Sequence, residues 1–518
     1  MDNVIDYYDV QGNIMINYAE FGYIKSRYVF IKITIGEDGR KFIKEIAPLI
    51  TSSALMQNGT ISLPEVTTNV SFTYNGLKIL GVPILSLHAF PDEYVMGIRN
   101  RTSILGDNSA SGPEHWDDVY RDDIHMFMSM DAKDDESLVK RYESIASIVD
   151  QIDGVELIQG CNNGRKELDK FQEASVLYDE NGFPTAKEHF GYTDGISNPF
   201  FKGMTPEMGE VIGGGKKLNY NNPMVEENWG PIETGEFILG YRDEANEYPA
   251  APIPKLLSKN GSFMVFNKFH ENVGKFNEYL DTASEKYNID KEELAAKFVG
   301  RWRNGAPMTT FPTQKAADEI ADERQKAIFA LNTAKTPEEL AKAHEKFKEV
   351  NRHFIGFDFF DDIPGSRCPV GSHIRRANPR GALEFNSKDA FSTPAALDNR
   401  RRMIRRGLPY GIATMESNEG EHGTIIMTIV ANIKRQFEFV VQQWLNYGND
   451  FKLANDKDPI TGNQDEDGGR LIIEGDEKQL PKYLAGIPRF IETRGGVYLF
   501  IPSLTAIKYI SEGIVDPT

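Results

Sequence analysis

At 518 residues the chain exceeds what one hydrophobic core usually holds, so length alone predicts about two to four domains, or two enlarged by insertions. With 40% hydrophobic and 26% charged residues it reads as a globular chain rather than a disordered or collagen-like one. A formal net charge of −19 excludes a nucleic-acid or anionic-membrane surface built on excess Lys and Arg, and suits a neutral or cationic small substrate.

The N-terminal MDNVIDYYDVQGNI is acidic and has neither the basic nor the apolar region of a secretory signal, and no stretch approaches the ~20 apolar residues of a membrane span. The expectation is a cytoplasmic protein. Residues 28–35, YVFIKITI, read as a strand, and apolar residues at helical spacing follow in DGRKFIKEIAPLI. HMFMSM at 125–130 reads as a second strand before an amphipathic helix from about Asp135 to Ile152. The two cysteines, Cys161 and Cys368, are far apart and form no CxxC, which predicts free thiols and no zinc site.

The second half repeats this grammar. EFILGY from Glu236 and SFMVF from Ser262 read as strands, the latter leading to a helix around Val273 to Ala283. Asp290 with Glu293 caps a helix towards Val299. From 313 to 352 an Ala/Glu/Lys-rich stretch predicts an inserted helical hairpin, with Thr336, Pro337 and Glu339 as cap, first-turn proline and capping-box glutamate. TIIMTIV at 424–430 and VYLFIP at 497–502 are strands on either side of the helical QFEFVVQQWL. The expected fold class is α+β, with two strand–helix–strand units divided at about 1–225 and 226–518.

Three segments could carry chemistry. Of nine histidines, His373 stands in CPVGSHIRRANPR, a loop marked by Pro and Gly that presents one imidazole with arginines beside it, as an axial haem ligand with propionate partners would need. Gly191-Tyr192-Thr193-Asp194-Gly195, followed by Ile196 and Ser197, brackets an aspartate with glycines that let the backbone approach a flat ligand. Arg400 to Arg406 holds five arginines and ends in Gly-Leu-Pro-Tyr-Gly. Each also has an ordinary reading: a hydrogen-bonded packing histidine, a turn aspartate and a solvated charged face.

Taken together, HFGYTDGISNP, CPVGSHIRRANPR and MIRRGLPYG make the chain resemble the dye-decolourising peroxidase family, nearest its larger, compact subgroup. DVQGNI, KFVGRWRNGAP, RQFEFVVQQWLN and YLFIPSLTAI extend the resemblance along most of the chain. It implies two ferredoxin-like domains with antiparallel sheets, one haem b held in the C-terminal one, and hydrogen peroxide with small reductants as partners.

Residue by residue, the resemblance makes His373 the iron ligand, Asp194 the distal acid–base and Arg405 the distal arginine. It makes Arg380 a propionate contact and Asp458 the acceptor of the other imidazole N–H. Ile196, Ser197, Ile425 and Met427 would line the haem, and Tyr410 would relay electrons from the surface. The stretch at 313–352 departs from the family pattern, which bears on substrate access. A haem carrier or haem-processing protein, or a cofactor-free α+β interaction protein, remain alternatives, as do monomer and dimer.

Overall fold

The structure, a computed structural model, describes residues 4–56, 64–206, 208–219, 222–383, 395–475 and 480–513. The first half lays down β1 (Lys25–Ile33), a helix (Gly36–Ile46), β2 (Val66–Phe72), β3 (Met126–Ala132), a helix (Asp135–Val149) and β4 (Val155–Leu157). Its strands run antiparallel in the order β4-β1-β3-β2, with β5 (Gln172–Ser175) added beside β1. Asp134 caps the second helix by accepting from the Ser137 backbone N–H, which satisfies one of the free amides of its first turn.

The connection contains a short pair, β6 (Lys216–Lys217) with β7 (Trp229–Gly230). The second unit then repeats the order of the first. β8 (Ser262–Glu271) leads to the helix Val273–Tyr287, and β9 (Ile404–Arg406) and β10 (Pro409–Gly411) precede β11 (His422–Val430). A π-helical segment covering Lys434–Glu438 and Val440–Leu445 follows, then the hairpin β12 (Gly469–Ile473) and β13 (Lys482–Ile487), and β14 (Ile491–Ile501) closes the unit. Strand order is β14-β8-β11, with β9 and β10 both on the outer side of β11.

β14 meets β2 at Phe500 and Phe72, joining both units into one ten-stranded sheet. The sheet curls until its faces meet: Phe266 of β8 lies 5.5 Å from Phe30 of β1 and 5.1 Å from Phe127 of β3, ring centre to ring centre. One apolar core therefore spans the two units, which explains why Val29, Phe30 and Ile31 are buried in succession instead of alternating.

One expectation shifts. EFILGY forms no strand: Thr234–Glu236 is a 3₁₀ turn, Gly240 takes φ +86, and Phe237, Ile238 and Leu239 enter the core from a loop. The apolar run was real, but glycines at 235 and 240 bend it out of extension. The 313–352 stretch is the helical hairpin Gln314–Thr333 and Pro337–Ile355, with the complete Thr336/Glu339 capping box; Val350 and Phe354 anchor it to the body. Both cysteines are free and buried.

Candidate active site

A cavity of about 390 Å³ opens on the helix side of the second unit, within the ~300–1,000 Å³ usual for cofactor pockets. His373, Asp194 and Arg405, far apart in sequence, all line it.

His373 is the first residue of a short helix, His373–Ala377. The loop before it is fixed from below: Ser372 N–H donates to Pro369 O, and the Ser372 hydroxyl lies 3.1 Å from Cys368 Sγ. Imidazole Nδ1 lies 3.0 Å from Asp458 Oδ2, and Asp458 is completely buried. The other oxygen, Oδ1, accepts from the backbone N–H groups of Ile460 and Thr461 and from the Thr461 hydroxyl. Burial alone would raise the Asp458 pKa, but the pairing with His373, the Arg376 charge and the Thr461 amide together hold it below the ordinary 3.8. Asp458 therefore fixes Nδ1 as a donor and leaves Nε2 at the cavity wall with no hydrogen-bond partner among the described residues.

The next two arginines do not reach the cavity. Arg375 donates to Cys368 O and Ile363 O, and Arg376 to Gly371 O, Trp444 O and Asp456 O, so they staple the His373 loop rather than await a ligand's carboxylates.

Asp194 sits where Gly191 (φ +91) and Gly195 (φ +72) allow a backbone path that a β-carbon would strain. Its N–H donates to Ala186 O, and its Oδ1 accepts from Gly195 N–H at 2.6 Å. Arg405 lies on β9, opposite Thr428 of β11. Its backbone N–H donates to Asn198 Oδ1, which ties the Asp194 loop to this strand. Arg405 Nη1 is 3.6 Å from Asp194 Oδ1, and both side chains are about half exposed. At that separation they share charge without a direct hydrogen bond.

Of the five clustered arginines, only Arg405 is aimed at Asp194. Arg400 pairs with Asp243, Arg401 lies over the Phe439 ring, and Arg406 donates to Asn13 O and Ile14 O. Arg402 lines the cavity while donating to Gly213 O and Gly214 O. Arg380 also lines it, donating to Ile355 O and Phe357 O, and Arg301 joins them through Gly305 O and Phe354 O. Among the described residues these three form no ion pair. Burial lowers all three, Arg301 to about 9 and Arg402 to about 10, with repulsion from Arg405 adding to both. Charges crowded at such cost fit a ligand that brings carboxylates.

The strand wall corrects one expectation. Thr424, Ile426 and Thr428 face the cavity with Asn267, Phe269 and Glu271 of β8, whereas Ile425 and Met427 point into the main core. Register decides this: Thr424 pairs with Phe269 and Ile426 with Asn267 on one face, and Met427 pairs with Phe266 on the other. The wholly apolar set Ile425, Met427, Ile429 was the core set, and the threonine-bearing set was the one free to face a ligand. Tyr410 is a second correction. It is 3% exposed, its hydroxyl has no partner among the described residues, and Lys268 Nζ sits 4.7 Å from its ring centre, so it offers no surface aromatic.

Ile196 and Ser197 do line the cavity, and among the described residues the buried Ser197 hydroxyl has no partner, nor has Asn378 Oδ1. Apolar walls, a cationic rim, orphaned polar atoms and one free imidazole nitrogen fit a flat macrocycle bearing carboxylates. A single imidazole is too small a donor set for a bare ion but suffices for a metal already held in a ring.

Sequence reasoning passed over Arg301, Arg402 and Ile426. Arg301 opens RWRNGAP, where the nearby Arg303 and Asn304 leave nothing in the local sequence to single it out.

Fold and pocket thus define an α+β protein of two ferredoxin-like units with one cavity lined by an imidazole and a carboxylate–guanidinium pair. Residues 9–162 match the family model of the DyP dimeric alpha+beta barrel domain. Dye-decolorizing peroxidase msp1 of Mycetinis scorodonius is 26% identical, the match covering 97% of this chain and 87% of the relative. The crystal structure of a DyP-type peroxidase from Anabaena superposes with TM-score 0.71 at 22% identity, covering 97% and 94% of the two chains. A dye-decolorizing peroxidase solved in complex with 2,6-dimethoxyphenol gives TM-score 0.71 at 21% identity over 98% and 100%. The chain is thus similar to dye-decolorizing peroxidases along nearly its whole length.

Proposed function

We propose that this protein is a haem b peroxidase that reduces hydrogen peroxide and oxidises dyes, phenols and similar small reductants. The observation that carries the reading is one cavity lined by an unpartnered His373 Nε2, the Asp194–Arg405 pair and three buried arginines. When bound, haem supplies the two-electron reduction of peroxide and the one-electron oxidations of reductant that follow.

The residues divide the remaining work. His373 Nε2 would hold the metal, with Asp458 making the imidazole a stronger donor through Nδ1. Arg301, Arg380 and Arg402 would receive the propionates, and Ile426, Phe269 and Ile196 would pack against the ring. Asp194 accepts a proton from hydrogen peroxide at a carboxylate oxygen and returns it to the departing oxygen, so that water leaves. Arg405 stabilises negative charge developing on that oxygen.

The test is turnover of 2,6-dimethoxyphenol by purified holoprotein with and without peroxide. Asp194→Asn and Arg405→Leu each slow the stopped-flow reaction with peroxide by at least ~100-fold while the holoprotein spectrum persists. Spectral binding without any turnover would identify a haem carrier instead.

A further inference from the structure

One wall of the cavity carries two glutamates that the proton transfer at Asp194 does not use. Glu188 and Glu271 both line the cavity wall and come from different parts of the chain, and Glu271 reaches the backbone N–H of His189, the residue next to Glu188. Two carboxyls held against one short turn repel each other when both are ionised, and since bare carboxylates only accept, one proton between them turns the repulsion into a hydrogen bond.

Each also holds backbone. Glu188 Oε2 accepts from Phe190 N–H at 2.8 Å and Oε1 from Tyr192 N–H at 2.7 Å, so its side chain shapes the turn running directly into Asp194. Glu271, the last residue of β8, accepts from His189 N–H at 3.2 Å and from the Thr424 hydroxyl of β11. The pair is thus a link between the Asp194 loop and the two central strands of the second unit.

The surroundings supply no Lys or Arg ion pair to either carboxyl among the described residues. From the loop, His189 places Nε2 on Tyr410 O. From β11, the His422 ring lies between His189, edge-on at 5.6 Å, and His270 of β8, tilted at 4.7 Å. His270 is spent on His422 O and Asn418 O, and Glu492 of β14 on Asn272 and Arg494. Arg303 reaches the turn, but donates to Phe190 O and Glu292 and lies over the Tyr192 ring.

We propose that Glu188 and Glu271 share a single proton, and that this shared proton positions the loop presenting Asp194. The inference rests on reading Asp194 as the proton carrier, and makes Glu188 and Glu271 positioning residues for it. Burial first, and the neighbouring Glu271 charge second, push Glu188 well above the ordinary 4.5; burial likewise raises Glu271. The sign follows: the folded pair keeps a proton that the unfolded chain releases above 4.5, so the link is strongest in acid. It is lost as pH rises through the pair's own ionisation, when two bare carboxylates repel.

Amide hydrogen exchange on the holoprotein tests this. Between about pH 6 and about pH 9, after correction for intrinsic rates, the amides of His189, Phe190 and Tyr192 lose at least ~10-fold protection in the native protein. Glu271→Gln, whose amide donates at every pH, removes that dependence, and Glu271→Ala is poorly protected throughout. Flat exchange in the native protein, or a Glu271→Gln profile that follows it, overturns the proposal.

Should the variants fail to fold, isotope-edited infrared spectra of the native holoprotein decide the matter. A glutamic acid carbonyl band at about pH 7 is expected, and its absence rejects the shared proton. Neither measurement consumes peroxide. A protein with the band and the exchange profile but no turnover therefore keeps this link and loses the peroxidase reading; turnover without them does the reverse.

Discussion

Asp458 and Asp194 serve one cavity, yet the first is completely buried and the second about half exposed. Asp458 spends both oxygens on His373, two backbone amides and a hydroxyl, and its charge is fixed before any ligand arrives. Asp194 has one short contact, its neighbour's N–H, and a cation standing 3.6 Å away. A metal ligand must not move or lose its orientation, whereas a proton carrier must reach water and substrate in turn. The same side chain is made rigid or mobile by how many donors surround it.

The largest expected effect is on the buried side. His373→Ala removes the free Nε2, and the purified protein should carry no stable haem; full Soret absorbance after purification would break the comparison at its base. Asp458→Asn keeps the shape but loses the carboxylate, and haem affinity measured by titration should fall about 10–100-fold. The pH dependence sharpens the point. Because the Asp458 pKa is held below 3.8, its contribution to stability is present above that value and disappears as pH falls through the lower folded one. An acid melting series on the native protein and Asp458→Asn should converge at the acid end.

Smaller effects separate the two faces of β11. Ile425→Ala empties a core site and should cost about 2–5 kcal/mol by denaturant unfolding, whereas Ile426→Ala should cost less and alter the haem spectrum instead. Equal losses would mean the strand does not separate core from pocket. Smallest is Tyr410→Phe: a buried hydroxyl with no partner among the described residues is removed, so stability should stay level or rise slightly. Oxidation of large dyes should be unaffected, which a thermal melt and a dye assay check together.

Much of this was legible in the chain. Strand and helix periods located β1, β3, β8, β11 and β14, and the capping box at Thr336 marked the inserted hairpin to the residue. His373, Asp194 and Arg405 stood out because glycines and prolines shape the turns around them. What misled was local apolarity. EFILGY has the composition of a strand, but glycines turn it and the core accepts it as a loop. Ile425 and Met427 were the natural choice for an apolar wall, and they are apolar because they belong to the core.

By itself the sequence determined the elements, the two-unit α+β plan and the three motif residues, since propensity, period and turn chemistry act within a few residues of one another. Tertiary structure alone decided which face of β11 meets the cavity, which arginines are stapled to backbone and which line the pocket, and that Glu188 and Glu271 share one wall. Those outcomes depend on register and burial between segments up to a few hundred residues apart, and a charged group's role follows from what surrounds it in space.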